Sequence, residues 1–150
     1  MSVISYLTNV SDEKDIFIHL EACDNNFIPP LSSKVNISEY SKKLVNKSVR
    51  FEAWDKLLLV GLVSIYFNEA EKGFISNVSL VKEYQGSGIA KRLINICIGY
   101  SIKKNIESIE LEVNLNNIVA LNLYYKLGFV NGNIKRSDNI ILKKILKKKE

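Results

Sequence analysis

The sequence predicts an α+β fold built on one mixed, mostly antiparallel sheet. Three strand-like stretches follow one another through two short turns between residues 48 and 81, which predicts an antiparallel meander. A helical stretch separates the third of these strands from another at residues 108–113, and a helical crossover makes the two strands parallel. A further helix and a final hairpin complete the pattern. The 150 residues hold no linker or repeat, so we expect one domain over residues 1–150.

Two helices are predicted before the meander. Residues 3–7 form a short first strand, and Ser11 is expected to cap the first helix, because acidic residues follow it where the helix dipole favours them. A loop with two prolines at residues 25–35 leads into a second helix at residues 36–46. His19, inside the first helix, is expected at the surface or at the boundary of the core.

Alternation and apolar runs identify the strands of the meander. Residues 48–54 alternate apolar and polar side chains, which predicts a strand buried on one face only. Residues 57–67 are almost continuously apolar, as is typical of a central strand, and residues 74–81 form the next one. We expect the turns between them at residues 55–56 and 68–73.

The second half alternates helices and strands. A helix is predicted from residue 88 to about residue 104, with apolar side chains at helical spacing. Asn117 is expected to cap the next helix, which a glycine ends. The chain then enters a strand, crosses a loop at residues 132–138 and finishes in an antiparallel strand at residues 139–145.

Charge and cysteine content exclude several classes of site. No arginine-rich run or basic–aromatic alternation accompanies the net charge of +5, so we expect no nucleic-acid partner. One histidine and two cysteines, Cys23 and Cys97, form no metal-ligand pattern, and Cys97 is predicted in the core. Part of the positive charge belongs to a terminus expected to be solvated, with Lys143, Lys144, Lys147, Lys148 and Lys149.

The sequence also predicts where the protein resides. No basic region followed by an apolar run opens the chain, so no signal peptide is expected. The longest apolar run, residues 57–67, is too short to cross a bilayer as a helix. We therefore expect a cytoplasmic protein with no membrane partner. A homodimer through a sheet edge or the last strand is compatible with the sequence, which does not require one.

A glycine turn, residues 85–90 with the sequence Gln-Gly-Ser-Gly-Ile-Ala, joins the meander to the crossover helix. Glycines leave backbone N–H groups uncovered, and the helix start adds unpaired donors and positive potential. Together these predict a cradle for a phosphate or pyrophosphate, and a turn that needs glycine only for its geometry is the alternative. No Walker-type Gly-Lys-Ser/Thr ending is present. The antiparallel strands before the turn disfavour a dinucleotide fingerprint.

Two motifs carry a resemblance to a known family. The glycine turn matches Gln/Arg-x-x-Gly-x-Gly/Ala at every fixed position, and residues 117–129 match Asn-x-x-Ala-x-x-Leu-Tyr-x-x-x-Gly-Phe. In this order, with one helix and one strand between them, they resemble the acetyl-CoA-binding motif and the second motif of the GNAT acetyltransferases. The resemblance covers roughly residues 74–130. It implies a GNAT-like sheet with a splayed parallel strand pair, helices on both faces, and acetyl-CoA as co-substrate.

The resemblance also implies which residues hold acetyl-CoA. The backbone of the glycine turn would bind the pyrophosphate. The end of the preceding strand would bind the pantetheine arm and offer an N–H group to the acetyl oxygen. The cofactor-binding residues expected on this basis are Leu80, Val81, Gln85, Gly86, Ser87, Gly88, Ile89, Ala90 and Asn117.

Tyr124 is the residue expected to carry chemistry. Acetyl transfer to an amine expels a thiolate, and a tyrosine with a pKa of about 10 can protonate it. The resemblance implies the same role, whereas packing alone is the alternative. For the base, Glu112 beside the expected splay is our candidate, and a water chain to solvent is the alternative. The glutamates considered on or near the sheet are Glu52, Glu69, Glu71, Glu110 and Glu112.

The predicted reaction is direct transfer of acetyl to a primary amine of a small molecule. The amine would bind between residues 27–34, the second helix and residues 132–138. Residues 27–44 resemble N-terminal regions of acetyltransferases associated with surface-polysaccharide synthesis, which implies an amino-sugar nucleotide. Lysines nearby favour a phosphorylated acceptor over a polyamine; they are Lys34, Lys42 and Lys43. A protein N-terminus, a polyamine, an aminoglycoside and a non-catalytic CoA-binding module stay open as alternatives.

Overall fold

The computed structural model describes residues 3–147, with residues 133 and 134 described by their backbone alone, and it shows a sheet of seven strands. Lys148 and Lys149 of the basic terminus lie outside the described residues. The strands are β1 (Ile4–Thr8), β2 (Val49–Asp55), β3 (Leu58–Glu69), β4 (Lys72–Leu80), β5 (Ser108–Asn114), β6 (Val130–Arg136) and β7 (Asn139–Ile145). The helices are α1 (Glu13–Cys23), α2 (Ile37–Lys47), α3 (Ile89–Lys103) and α4 (Ile118–Lys126). Among residues 3–147, no helix combines the length and apolar character needed to span a membrane.

The strand order β1-β2-β3-β4-β5-β7-β6 confirms the predicted meander and final hairpin. β4 and β5 are parallel, as the crossover through α3 predicts, and the other neighbouring pairs of the described sheet are antiparallel. The parallel pairing joins residues 72–75 to residues 108–111 and then stops. Because both strands continue beyond it, a gap opens between their carboxyl ends, and the implied splay is confirmed.

Two hydrophobic clusters hold helices against opposite faces of the sheet. Leu93 and Cys97 of α3 and Leu121 of α4 belong to the first, so Cys97 lies in the core as predicted. Residues of α1 and α2 form the second with the other face of β3. Gly61 interrupts the apolar run of β3 because α3 approaches closely there; a Cβ at Gly61 would lie 3.0 Å from the Leu93 side chain. Each large side chain buried in these clusters contributes roughly 1.5–3 kcal/mol.

The start of α1 differs from the prediction by one residue. Asp12, not Ser11, caps the helix, and its carboxylate accepts a hydrogen bond from the N–H group of Asp15 at 2.8 Å. The Asp15 carboxylate accepts one from the Asp12 N–H group at 3.0 Å, which completes a reciprocal capping box. Ser11 is buried instead, and its hydroxyl donates to the Glu52 carboxylate. The prediction failed because Ser11 has a distant partner that a local pattern cannot reveal.

β2 is buried on both faces, although its alternation predicts burial on one face only. Glu52 is fully buried, and its carboxylate accepts hydrogen bonds from the N–H groups of Val10 and Ser11 and from Trp54 Nε1. Arg50 lies 3.4 Å from the same carboxylate and donates to the carbonyl oxygen of Ser11 at 2.8 Å. Buried charges are tolerated when they are paired and hydrogen-bonded in this way. The polar face of β2 therefore anchors the chain leading into α1.

Three predicted turns also differ from the structure. The β2–β3 turn is formed by Lys56 and Leu57, and the β3–β4 turn is shorter than predicted. Residues 132–138 are mostly strand rather than loop, because β6 pairs with β7 as far as Arg136. Gly132 suggested a loop, but its role is close approach: a Cβ there would lie 2.9 Å from the carbonyl oxygen of Ile141.

His19 is buried, contrary to the prediction of a surface or boundary residue. Its side chain is 1% exposed, with Nδ1 lying 3.1 Å from the Leu59 carbonyl oxygen and Nε2 lying 2.8 Å from Ser79 Oγ. Burial lowers the pKa of His19 to about 4, so the imidazole is neutral at neutral pH. The polar partners come from β3 and β4, and the periodicity of α1 contains no sign of them.

We expect the protein to lose stability between pH 6.5 and pH 4. The folded-state pKa of His19 is about 4 and its unfolded value is 6.5, so only the unfolded chain takes up this proton in that window. The contribution of neutral His19 to the free energy of unfolding is complete above pH 6.5 and is lost as pH falls through about 4. This contribution amounts to about 3 kcal/mol. Urea unfolding at pH 7.5 and at pH 4.5 measures it. Between these two pH values the natural protein should lose more stability than His19→Gln, whose side chain does not titrate. An equal loss in the two proteins would contradict the prediction.

Candidate active site

The gap between β4 and β5 exposes backbone groups of β4. The N–H group of Val81 donates to the carbonyl oxygen of Val60 on β3 at 2.9 Å. Because successive N–H groups of a strand point to opposite sides, those of Leu80 and Val78 point away from β3 and into the gap. On the side away from β3, no described strand pairs with this part of β4, because the pairing with β5 ends at Ile75. An extended ligand can therefore bind along β4 as an additional strand would.

A groove of about 510 Å³ begins at this gap. It is lined by the end of β4, the glycine turn, the first turn of α3 and the start of α4, and we call it the glycine groove. Cys23 and Phe27, at the end of α1 and just after it, line its other wall. The groove joins the exposed backbone of β4 to the glycine turn, so one long ligand can contact both.

The glycine turn leaves room for an anionic group. Gly86 and Gly88 have φ values of +80° and +83°, which favour glycine, and a Cβ on either would meet no heavy atom within 4 Å. Gly88 precedes α3 without a side-chain cap, whereas α1, α2 and α4 are each capped by an Asp or Asn side chain. The first turn of α3 contains no acidic residue. Its free N–H groups and positive dipole end suit a phosphate.

Seven of the nine expected cofactor-binding residues line the glycine groove. Val81 and Ser87 do not: the Val81 N–H group is bonded to β3, and the Ser87 hydroxyl donates to the Tyr84 carbonyl oxygen at 2.5 Å. Asn117 lines the groove and also caps α4, since its Oδ1 accepts a hydrogen bond from the Ala120 N–H group at 3.3 Å. The predicted cap is thus confirmed.

A second cavity, of about 290 Å³, adjoins the groove. We call it the aromatic pocket because Phe27, Tyr40 and Phe74 line it. The 27–34 loop and α2 contribute to its lining, whereas none of the described side chains of residues 132–138 does; Asn139 of β7 lines it instead. Of the three predicted lysines, Lys34 lines the pocket and the other two do not.

Tyr124 lies where the two cavities meet, because it lines both of them. Its side chain is 6% exposed and packs edge-on against the Phe129 ring, with 5.8 Å between ring centroids. Burial raises the pKa of Tyr124, so the hydroxyl keeps its proton at neutral pH. The adjacent Tyr125 is exposed and donates to Asn131 Oδ1 at 2.6 Å, away from both cavities.

Of the five glutamates considered from the sequence, Glu112 alone lines the aromatic pocket with Tyr124. Its carboxylate is exposed and accepts a hydrogen bond from Asn139 Nδ2 at 2.9 Å. Glu52 is buried beneath α1, while Glu69 and Glu110 line a separate cavity of about 230 Å³. The remaining one, Glu71, lies in the β3–β4 turn.

Sequence reasoning missed several residues of the two cavities. The hydroxyl of Tyr40 donates to the Ser76 carbonyl oxygen at 3.1 Å, and its side chain lines the aromatic pocket. Asn77, Ser79 and Cys23 also line a cavity. These residues come from separate elements, so no short motif unites them. The one available signal was polar residues at alternate positions at the end of β4.

The split sheet and the glycine groove define a class of α+β proteins that bind a phosphate-bearing ligand beside a second pocket. Residues 27–129, more than half of the chain, match the model of the acetyltransferase (GNAT) family. The chain belongs to this family.

Relatives agree with this assignment. N-alpha-acetyltransferase 30 of Saccharomyces cerevisiae is 37% identical over 59 residues, which cover 39% of this chain and 34% of that protein. This match thus spans about a third of the yeast protein's length. Spermidine N(1)-acetyltransferase of Vibrio cholerae is 30% identical over 131 residues, which cover 74% of this chain and 76% of that protein.

Solved structures show the same fold. The ribosomal-protein-S18-alanine N-acetyltransferase of Escherichia coli superposes with a TM-score of 0.81 at 19% identity, over 100% of this chain and 97% of that chain. The PaiA N-acetyltransferase of Thermoplasma acidophilum, in complex with coenzyme A, gives 0.76 at 20% identity, over 94% and 99% of the two chains. The GNAT-like fold that the motifs imply is confirmed.

We expect Gly88→Ala to weaken coenzyme A binding about tenfold, equivalent to about 1.4 kcal/mol. The methyl group would occupy the open space of the cradle, and the φ of +83° would strain alanine. Isothermal titration with coenzyme A measures the effect.

Gly99→Ala is the matched control. Gly99 lies inside α3, and a Cβ there also meets no heavy atom within 4 Å. This variant should gain up to about 1 kcal/mol of stability and bind coenzyme A normally. Equal affinities for the two variants would contradict an anion cradle at the glycine turn.

Proposed function

We propose that this protein transfers acetyl directly from acetyl-CoA to a primary amine of a small molecule. The observation that carries the proposal is the meeting of the glycine groove and the aromatic pocket at Tyr124. One cavity suits the donor, the other suits an amine, and a protonated hydroxyl stands between them. Membership of the GNAT family and a coenzyme A complex of a structural neighbour support the assignment of the donor.

The donor would bind along backbone groups. N–H groups of the glycine turn and of the first turn of α3 would hold the pyrophosphate. The outward N–H and C=O groups of Val78 and Leu80 would bind the pantetheine arm, as a neighbouring strand would. One of these N–H groups would stabilise the negative charge that develops on the acetyl oxygen. Since Asn117 uses its Oδ1 as a cap, its amide NH₂ group is available to the donor.

The reaction needs one acid and one base. The neutral amine attacks the thioester carbonyl carbon, the C–N bond forms and the C–S bond breaks. Tyr124 donates its proton to the departing thiolate, and Glu112 takes the proton that the amine loses. Solvent returns the proton from Glu112 to Tyr124, so the products are the amide and free thiol. A water chain that replaces Glu112 is the alternative route for the amine proton.

The cysteines favour direct transfer over an acetyl-enzyme. Cys23 lines the glycine groove, but it is fully buried, and burial raises the pKa of its thiol to about 12. Cys97 is buried in the core, where its pKa is also raised to about 12. Thiols of this kind stay protonated at neutral pH and are poor nucleophiles. The protonated thiols therefore support direct transfer of the acetyl group to the amine.

The aromatic pocket suits an amino sugar linked to a nucleotide. Its polar lining is mostly neutral, with the amides of Asn77, Asn114 and Asn139 beside aromatic rings, and such groups bind sugar hydroxyls and ring faces. Glu112 is the one carboxylate among the described lining residues, whereas a polyamine would offer several ammonium groups. Lys34, also in the lining, would bind a phosphate. The names of the yeast and E. coli relatives favour a protein N-terminus as the alternative acceptor.

A panel of amines tests the acceptor. We expect free thiol to be released fastest, judged by kcat/KM, with a UDP-linked amino sugar that carries a primary amine. Peptides beginning with Ala or Met, spermidine and an aminoglycoside should react more slowly. A peptide that reacts fastest would make the protein a protein N-acetyltransferase. Tight acetyl-CoA binding without turnover of any amine would favour a non-catalytic CoA-binding module.

Two substitutions test the acid and the base. Tyr124→Phe should lower kcat about 100-fold or more, because the thiolate then leaves without a proton. Glu112→Gln should lower kcat/KM for the amine by about 100-fold, because the attacking amine then loses its proton without a base. Steady-state kinetics from pH 5 to pH 9 measure both effects.

Neighbouring residues provide matched controls. Tyr125→Phe removes a hydroxyl from the same helix, and Glu110→Gln removes a carboxylate from the same face of β5, but neither residue lines the aromatic pocket. Both variants should retain the natural rates. If Glu112→Gln also retains them, the amine proton leaves through water.

A further inference from the structure

A buried chain of hydrogen bonds links α1 to the part of β4 that borders the gap. His19 Nδ1 lies 3.1 Å from the Leu59 carbonyl oxygen, and Nε2 lies 2.8 Å from Ser79 Oγ. Ser79 Oγ in turn lies 2.7 Å from Asn77 Oδ1. All three side chains are at least nine-tenths buried. Ser79 lines the glycine groove and Asn77 lines the aromatic pocket, so the chain reaches both cavities.

The protons of this chain can be assigned. A carbonyl oxygen only accepts hydrogen bonds, so Nδ1 of His19 carries a proton and donates it to Leu59. In a neutral ring Nε2 is then an acceptor, and Ser79 Oγ donates to it. Ser79 has a single proton and cannot also donate to Asn77. At neutral pH the Asn77 NH₂ group therefore faces Ser79, since a half-turn of the amide exchanges its nitrogen and oxygen.

This series of hydrogen bonds restrains the β4 backbone between Asn77 and Ser79. Ser79 and Asn77 flank Val78, whose N–H group points into the gap where β5 no longer pairs with β4. A strand edge without a partner can twist, and the register shift in β4 next to Asn77 removes further regular pairing with β3. Anchoring the side chains on both sides of Val78 fixes the plane of the intervening peptide group. A fixed donor needs no reorganisation as charge develops on the substrate.

We propose that His19 is a positioning residue, which acts through Ser79 and Asn77 to hold the Val78 N–H group against the acetyl carbonyl oxygen. This inference rests on the proposed binding of acetyl-CoA along β4. It does not depend on which amine receives the acetyl group.

Two amide variants separate the two hydrogen bonds of His19. In His19→Asn the side-chain amide reaches the place of Nδ1 and can still donate to Leu59, but it cannot reach Ser79. In His19→Gln the longer side chain reaches the place of Nε2 and can still accept from Ser79. Both variants leave a buried amide in the same site, so a purely structural role predicts similar losses in both. Ser79→Ala removes the link while keeping His19.

The readout is the C=O stretching frequency of bound [1-¹³C]acetyl-CoA, with no amine present. In the natural protein the stretch should fall below its value in solution, because an N–H donor polarises the carbonyl. In His19→Asn and Ser79→Ala the frequency should stay close to its solution value. In His19→Gln it should be lowered nearly as much as in the natural protein. The preference for acetyl-CoA over CoA should drop about tenfold in the first two variants. With any amine that reacts, kcat should fall while the KM of the amine stays unchanged.

The outcomes separate the two proposals. The positioning role is overturned if the C=O frequency is lowered equally in the natural protein and all three variants. It is also overturned if His19→Asn and His19→Gln lower the frequency to the same extent. A lowered stretch that depends on Ser79 supports it even if no amine in the panel reacts, in which case the proposed acceptor alone fails. Failure of the natural protein to bind acetyl-CoA overturns both.

Discussion

The end of pairing between β4 and β5 is the constraint on which the site depends. The last paired residues are Ile75 and Leu111, after which each strand keeps one neighbour, β3 or β7. A backbone group left unpaired in a partly buried place costs about 1–3 kcal/mol, so the gap is unfavourable unless a ligand fills it. Opening the sheet therefore creates a line of directed donors and acceptors and exposes Tyr124 to both cavities.

Polar anchors, not apolar contacts alone, hold the first helix in place beside this gap. Arg50 and Glu52 fix the chain before α1, and His19 binds both β3 and β4 from its middle. Hydrogen bonds are directional, so they define the register of the helix more closely than packing does. The end of α1 then forms a wall of the glycine groove, through Cys23. The polar contacts on this face of the sheet therefore both stabilise α1 and place one wall of the glycine groove.

Much of the candidate site could be predicted because its signals are local. A glycine turn needs positive φ at fixed places, and the structure has it at Gly86 and Gly88. The Asn117 cap likewise depends on a partner three residues away. A candidate base was harder to choose from the sequence, because five glutamates share similar strand and turn surroundings. Only the pairing of β5 with β7 places Glu112 beside Asn139 and in the aromatic pocket.

The sequence by itself determined the order of elements, the meander, the parallel pair, the glycine turn before α3 and the place of Tyr124. Each follows from periodicity, glycine conformation or a cap, which act within a few residues of chain. Tertiary structure alone decided that His19 is buried, that Ser11 binds Glu52 instead of capping α1, and that residues 132–136 belong to a strand. These outcomes depend on which distant segment lies opposite each residue. A partner about 40 residues or more away, as for Ser11 and His19, leaves no periodic trace in the chain.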